Sequence, residues 1–474
     1  MRRVHAAALL FAASLAGCAS GPAPSSIERP LPAAWNTPLP PADNTAATDL
    51  ARWWQQFDDP LLPQIVERAQ RASPGIAAAR ARIEQARAAR IAAGAAFGPT
   101  VDAAASASRG RPDLSAPLGS SVSIGAQAGW EIDLFGANAA GRDAAQARLD
   151  GERAGWHDAR VAVAAETATS YLAYRACEAQ LALTERDAAS RAETARLTDL
   201  SARAGFQAPA NAALARASAA QASATVTQQR ASCASLVKAL VALTATDEAT
   251  LRSELAAGAT RLPQPASIRI DALPARTLAQ RPDLIAAERE LVAAAADVDG
   301  AKAQHLPRIT LSGLVGRARF SGADFTQSGT VWNLGPLAVS LPLFDGGVRT
   351  ANVEAAAARY DAAASAYRGR LRGAVREVED ALIALQSSAA RADDARTAAE
   401  GFEASYRATE SRYTGGLASL FELEDARRSA LAAQSALIEL QRERVAAWIS
   451  LYRAVGGGWT DPDLSAPTAQ ARMN

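Results

Sequence analysis

Histidine commonly binds metals and transfers protons, and cysteine commonly binds metals or acts as a nucleophile; this chain has three of each. His5 lies at the extreme N-terminus, and His157 and His305 are far apart, without cysteines or carboxylates at metal-ligand spacing. The sequence also lacks the zinc-protease, nucleophile-elbow and phosphate-loop motifs. It therefore gives no support to an enzyme, a metal site or a cofactor site.

The first cysteine, Cys18, follows a typical export signal. Arg2 and Arg3 precede an apolar stretch over about 6–15, which is shorter than the ~20 residues of a membrane-spanning helix. Leu15-Ala16-Gly17-Cys18 matches the bacterial lipoprotein processing box. We therefore predict a signal peptide at residues 1–17 and lipidation of Cys18. The alternative is an ordinary cleaved signal with no role for the cysteine.

The other two cysteines, Cys177 and Cys233, lie on either side of a predicted turn. An alanine-rich segment from about 137 to 204 predicts a helix of ~100 Å. A return helix begins near Pro209, so Gly205 marks the tip of an antiparallel hairpin. Residues whose numbers sum to about 410 then lie level, and 177 + 233 = 410. The hairpin predicts a disulfide in an oxidising compartment, and two buried free thiols are the alternative.

Composition indicates long, closely packed helices. The 50 basic and 49 acidic residues nearly balance, which argues against a nucleic acid or a polybasic membrane partner. Nearly half of the chain is hydrophobic, but much of that is alanine, the best helix former. Heptad-type apolar stripes, such as Leu371, Val378 and Leu385, predict packing between helices.

An internal repeat organises the chain. Pro74 matches Pro282 at an offset of 208 (282 − 74), and Gly205 matches Gly416 at an offset of 211 (416 − 205). Each copy is a helix, two strands and a long helical hairpin, and the second hairpin turns at Gly415 and Gly416. The predicted divisions after the signal peptide are a lipidated tether (18–50), a first repeat (51–270), a second repeat (271–459) and a tail (460–474).

Alternation of apolar and polar residues predicts the strands, at about 99–109, 121–135, 308–320 and 331–344. Such strands fit a transmembrane barrel with a wet lumen, although alternation alone fits a soluble sandwich equally well. Four strands cannot close a barrel, and unpaired edges are not tolerated in lipid. Two copies would give eight strands and three copies twelve, and periodicity does not choose between them.

The sequence resembles the outer membrane factors, the TolC-like exit ducts, and within them the NodT-type lipoproteins. The resemblance covers essentially all of the chain beyond the signal peptide. It rests on five motifs in order: Trp53-Trp54 with Phe57-Asp58-Asp59-Pro60-Leu61, Asp133-Leu134-Phe135-Gly136, Pro342-Leu343-Phe344-Asp345-Gly346-Gly347, Arg412-Tyr413-Thr414-Gly415-Gly416, and Leu451-Tyr452-Arg453-Ala454-Val455-Gly456-Gly457-Gly458-Trp459.

The resemblance implies an α+β, mostly α, fold: four strands per chain, twelve in a homotrimeric outer membrane β-barrel, continued by a periplasmic α-helical barrel. It implies a passive exit duct for drugs or other small molecules. The implied partners are a periplasmic adaptor, an inner-membrane pump of the resistance-nodulation-division type and outer membrane lipid. A protein-secretion duct and a pore-free periplasmic coiled-coil lipoprotein are the alternatives; the alternating strands after Val101 and Val122 disfavour the latter.

The resemblance also implies a gate at the periplasmic tip. Glu422 and Asp425 match the family's acidic pair, and a threefold ring of such carboxylates would attract cations. The alternative is that they belong, with Glu424, to a solvated helix face. Tyr413 matches the aromatic member of a tyrosine–arginine lock, whereas Ala418 stands where the arginine is expected.

Overall fold

The computed structural model describes residues 32–39, 50–111, 118–257, 262–265, 278–322 and 325–458. The predicted signal peptide (1–17), Cys18 and the predicted tail (460–474) lie outside the described residues. So does most of the predicted tether (18–50).

Long helices and one small sheet make up the described chain. A short 3₁₀ segment, Leu50–Phe57, precedes the first helix. The helices are α1 (Leu61–Ala72), α2 (Pro74–Ala95), α3 (Ala137–Arg203), α4 (Pro209–Thr244), α5 (Glu248–Ala257), α6 (Pro282–Ala303), α7 (Val348–Thr414) and α8 (Leu420–Ala454). The strands are β1 (Thr100–Gly110), β2 (Gly119–Ile132), β3 (Arg308–Ser321) and β4 (Thr326–Ser340).

The four strands form one antiparallel sheet in the order β1-β2-β3-β4. Directly opposed residues point to the same face, so the register assigns two unlike faces. The apolar face includes Val101, Ala105, Val122, Ile124, Trp130, Leu311, Val315, Trp332, Leu334 and Leu337. The other face includes Asp102, Ser106, Ser123, Gln127, Glu131, Thr310, Ser312 and Asn333.

The end of β4 differs from the prediction. The strand was expected at 331–344 but ends at Ser340. Leu341 and Leu343 continue the apolar alternation, yet Pro342 between them has no N–H to donate to a neighbouring strand. The strand begins earlier than expected because the polar run 326–330 pairs with β3.

Two aspartates cap the helices that follow the sheet. The Asp133 carboxylate accepts a hydrogen bond from the Ala139 N–H at 2.8 Å, at the start of α3. The Asp345 carboxylate accepts from the N–H groups of Gly347 and Arg349, both at 3.0 Å, at the start of α7. Gly136 has a φ of +78°, a left-handed conformation that favours glycine. The aspartate and glycine motifs therefore make the two strand-to-helix corners.

Among the described residues, none of the helices has the length and apolar content needed to span a membrane.

The chain divides into two compact units. The first contains Ala81–Arg153 and Ala286–Gly369, and therefore the sheet. Small residues pack its helices closely: Ala144 and Ala147 of α3 and Ala293 of α6 form a buried cluster. Alanine in these positions lets the two helices approach each other, as the composition predicts.

The second unit contains both hairpin tips, and aromatic residues form part of its core. Trp53 and Trp54 lie against the Tyr452 ring of α8, with centroid distances of 5.5 and 4.6 Å. Tyr171 of α3 donates a hydrogen bond to the Asp59 carboxylate at 2.7 Å. The early tryptophan motif and the closing motif of the sequence therefore pack together.

Part of the predicted tether belongs to the second unit. Trp35 is buried, and the N–H groups of Asn36 and Thr37 donate to the Glu379 carboxylate at 2.7 and 3.0 Å. We expected a flexible segment here. Residues 32–39 are instead anchored by a charge-assisted pair of hydrogen bonds.

Candidate functional site

Both hairpins turn with the same backbone geometry. After α3, the N–H of Phe206 donates to Ser201 O at 2.9 Å and that of Gly205 to Ala202 O at 3.1 Å. After α7, Leu417 donates to Arg412 O at 2.7 Å and Gly416 to Tyr413 O at 3.0 Å. These paired bonds define Schellman motifs, which need a left-handed residue after the helix. The two tips are therefore the same structure at an offset of 211 (416 − 205).

Glycine supplies that left-handed residue in each tip. Gly205 has a φ of +80° and Gly416 a φ of +71°. The backbone of Gly415, in contrast, is not in the left-handed region. Of the three glycines that we predicted at the tips, two therefore have a conformational reason to be glycine.

Glu422 closes a capping box at the start of α8. The Ser419 hydroxyl accepts a hydrogen bond from the Glu422 N–H at 3.2 Å, and the Glu422 carboxylate accepts from the Ser419 N–H at 2.7 Å. The backbone hydrogen bond from Ser419 lowers the pKa of Glu422 below its usual value. The carboxylate is exposed and stays charged at neutral pH.

Asp425 lies close to Glu422 on the exposed side of α8. Its carboxylate accepts from Arg428 at 2.8 Å, and both side chains are more than half exposed. Leu423 and Arg427 are buried on the packed side of the helix. Both predicted gate carboxylates thus face away from the core of their own protomer.

Tyr413 joins the last turn of α7 to α3. Its hydroxyl lies 2.9 Å from the Thr198 hydroxyl, and its ring packs against a buried cluster that includes Ala195, Leu420 and Leu423. In the described chain the tyrosine therefore links the two hairpins without an arginine, consistent with Ala418 in the place of the arginine.

A buried ion network lies between the helices next to the tips, and the sequence did not predict it. Arg427 is 3% exposed and donates to Glu424 at 2.5 Å. Arg191 of α3 donates to the other oxygen of Glu424 at 2.5 Å and pairs with Asp187 at 2.8 Å. One carboxylate from the second hairpin therefore holds two guanidinium groups, one of them from the first.

Hydroxyl groups complete this network. Arg427 also donates to the hydroxyls of Ser190 and Thr194, both at 3.0 Å, and the Ser218 hydroxyl of α4 donates to Glu424 at 2.9 Å. Burial and a hydrogen bond to Glu410 raise the pKa of the neighbouring Tyr406. The network therefore joins α3, α4, α7 and α8 next to the tips.

The hairpin cysteines are joined. The sulfur atoms of Cys177 and Cys233 are 2.02 Å apart, and their Cα atoms are separated by 5.6 Å. The bond links α3 to α4 at the level expected for a hairpin that turns at Gly205.

In the described part of the chain, no group of histidine, cysteine and acidic residues has the arrangement needed to hold a metal ion. The charged groups near the tips form ion pairs and helix caps. These groups therefore stabilise the packing of the helices near the tips and place fixed charges there.

Comparisons with known proteins agree with this geometry. A sequence model of the family described as outer membrane efflux protein matches residues 65–246 and 273–457. The chain is 32% identical over 473 residues to outer membrane protein OprJ of Pseudomonas aeruginosa, with 96% of both chains covered. It is 30% identical over 430 residues to solvent efflux pump outer membrane protein SrpC of Pseudomonas putida, covering 87% of this chain and 89% of that protein.

The fold matches a solved channel as well. The open-state crystal structure of the MtrE outer membrane channel of Neisseria gonorrhoeae aligns with a TM-score of 0.78 and 25% identity. The alignment covers 93% of this chain and 97% of that one.

The repeated strand pair and helical hairpin define an outer membrane channel of mixed β and α architecture. The chain belongs to the outer membrane efflux protein family, so the resemblance drawn from its motifs is confirmed. It is an outer membrane component of an efflux system and extends into the periplasm. The two segments matched by the family model fall in the two halves of the internal repeat.

Proposed function

We propose that three copies of this chain form a passive exit duct through the outer membrane for drugs or other small molecules. An inner-membrane pump of the resistance-nodulation-division type would deliver them through a periplasmic adaptor. The observation that carries this proposal is the sheet, which has one apolar face, one polar face and two edge strands with a single hydrogen-bonded neighbour each.

The edges argue for association. Within the described sheet, β1 pairs with β2 alone and β4 pairs with β3 alone. Each unpaired backbone group costs several kcal/mol in hydrocarbon, about the penalty for burying a lone amide. Pairing β4 of one copy with β1 of the next would satisfy these groups and place every apolar face outward.

The need for a lumen favours three copies over two. An eight-stranded barrel has an interior that side chains just fill, and larger barrels leave a channel. Residues on the polar face are mostly small, including Ser106, Ser123 and Gly129. Twelve strands lined by such residues would leave a wet path, and movement along it requires no covalent chemistry.

Near the tips, a groove supports the adaptor as a partner. The groove lies between α3, α4 and α8, and its lining combines the exposed apolar side chains of Leu214 and Phe421 with the charges of Arg191 and Arg428. Apolar residues surrounded by charges are typical of reversible protein interfaces.

We further propose that Glu422 and Asp425 face the lumen of the trimer. Their exposure on the unpacked side of α8 supports this placement. Six carboxylates in a narrow aperture would favour cations.

A count of chains tests the assembly. Native mass spectrometry of the purified protein, with chemical cross-linking beside it, should give three chains of 49.1 kDa or of the processed mass. A stable dimer would replace the proposal with an eight-stranded barrel, and a stable monomer in the membrane would contradict it.

A further inference from the structure

Three arginines lie on the apolar face of the sheet. Arg109 of β1 is level with Ser120 of β2, and Arg319 and Arg317 of β3 are level with Val122 and Ile124. Because opposed residues share a face, all three guanidinium groups emerge on the same side as the apolar band. That is an expensive place for a charge in a membrane protein unless the charge has a partner there.

None of these arginines has an ion-pair partner within the described part of the chain, and all three are exposed. The acidic residues of the four strands, Asp102 and Glu131, lie on the opposite face. Every charge on the apolar face of the strands is therefore positive.

The three arginines also lie in the half of the sheet away from the helices, which connect near Thr100, Ile132, Arg308 and Ser340. Arg109 and Arg319 are close to the far ends of their strands, whereas Arg317 lies nearer the middle, level with Ile124. β1 and β3 flank β2, so their backbones are about 10 Å apart. Along the strands, Arg319 is offset from the level of Arg109 by two residues and Arg317 by four, about 7 and 13 Å. Three long, flexible side chains at this spacing can contact separate oxygen atoms of one large headgroup.

We propose that Arg109, Arg317 and Arg319 form a binding site for the phosphate groups of lipid headgroups in the outer leaflet. The proposal rests on the proposed function, because helices that extend into the periplasm place this end of the sheet at the outer surface. Guanidinium groups bind phosphate through paired hydrogen bonds. The apolar residues below them, including Val315 and Trp332, lie where the acyl chains of the same lipid would pack.

Lipid binding to the purified full-length protein tests the site. The probe is a bisphosphorylated disaccharide lipid, lipid A, titrated against the protein in neutral detergent and followed by native mass spectrometry. Phosphatidylcholine, whose single phosphate is balanced by a quaternary ammonium group, is the comparison with no net charge, and inorganic phosphate is added as a competitor. The wild type is compared with R109Q/R317Q/R319Q, and with R308Q as the matched control, since Arg308 lies on the polar face at the other end of the sheet.

We expect the triple variant to bind lipid A about a hundredfold more weakly, because each of the three arginines near an anionic surface contributes on the order of a factor of five. R308Q should bind like the wild type, and R109K/R317K/R319K should bind with intermediate strength, because lysine keeps the charge but loses the paired hydrogen bonds. If millimolar inorganic phosphate displaces lipid A from the wild type, the arginines form a site for free anions and the lipid site is overturned. Equal binding by the wild type and the triple variant would also overturn the proposal.

Conductance separates this proposal from the proposed function. If the triple variant conducts as a trimer but binds lipid A like the wild type, the lipid site is wrong and the duct stands. If the wild type neither trimerises nor conducts, the proposed duct is wrong, and nothing then places the arginines at the outer surface of the membrane. Should the triple variant not assemble, the single variant R317Q is compared with R308Q in the same titration, with the same two opposed outcomes.

Discussion

Arg427 shows what a single residue contributes near the tips. Its spacing from Leu420 and Leu423 places it in the apolar stripe of α8, where a cation requires a partner. The sequence could have revealed this anomaly. It could not have identified Arg191, Ser190 or Thr194 as neighbours, because more than 230 residues separate them from Arg427 and only tertiary packing joins them.

Loss of the Glu424 charge should loosen the tips. In Glu424→Gln, two guanidinium groups lose their shared anion, and we expect destabilisation of about 3 kcal/mol, the range found when one partner of a buried pair is removed. Hydrogen exchange of α8 and of the end of α3 measures this. The adjacent Asp425→Asn is the matched control and should change stability by less than about 0.5 kcal/mol, since its ion pair is exposed. Equal effects would show that the network does not hold the tips.

Acid should release the capping box. The pKa of Glu422 is lowered in the folded protein, so its contribution is complete above the ordinary glutamate value of 4.5 and is lost as the pH falls through the lowered value. Hydrogen exchange of the first turn of α8, corrected for intrinsic rates, should rise only below about pH 4.5. Ser419→Ala should raise it at every pH, by the equivalent of about 1 kcal/mol. A rise between pH 7 and 5 would assign the transition to another group.

At the scale of elements, alternation and helix signals predicted the strand pairs and the hairpins. The strand ends were less predictable, because a strand stops where its partner does and not where the pattern does. Leu343 and Phe344 illustrate this, since both are apolar and about nine-tenths exposed beyond the end of β4. The helix α5 lacked a strong pattern and was not predicted.

Adjacent glycines in the second tip should respond differently to substitution. In Gly416→Ala a side chain would be forced into the left-handed region, at a cost of about 1–2 kcal/mol. Gly415→Ala is the matched control, because the backbone there is not left-handed and an added Cβ would have ordinary contacts at 3.5 Å. Proteolysis at the tip, or hydrogen exchange across it, compares the two. A larger effect at Gly415 would contradict the Schellman geometry.

The disulfide should stabilise the first hairpin. Cys177 and Cys233 are 56 residues apart, and closing a loop of that size contributes about 2–4 kcal/mol. Cys177→Ser/Cys233→Ser should therefore melt at a lower temperature than the wild type. Reductant should lower the melting temperature of the wild type and leave that of the variant unchanged. Thiol counting by mass spectrometry without reductant should find neither cysteine free, and two free thiols would sink the prediction.

At the scale of the whole molecule, a single chain does not close its own sheet. Within the described residues the sheet has two edge strands with one neighbour each, and the carboxylates proposed for the gate face away from the core of their own protomer. The fold and the family could be predicted from repeats, alternation and motifs. The proposed aperture could not, because it would be formed by copies of one segment around an axis that a single sequence does not encode.

Single-channel conductance in planar bilayers tests the central claim, that the chain forms a gated passive duct. The wild type should show small, cation-selective openings. Glu422→Ala/Asp425→Ala should enlarge them or reduce their selectivity, because the ring loses its charge. A control that removes Asp393 and Asp394 of α7, two exposed carboxylates, should behave like the wild type. A trimer whose conductance and ion selectivity are the same in the wild type and the double variant would contradict the acidic gate. Absence of conductance from both, together with a cross-linking count that finds no trimer, would contradict the duct, because a trimer shut at its tip would not conduct either.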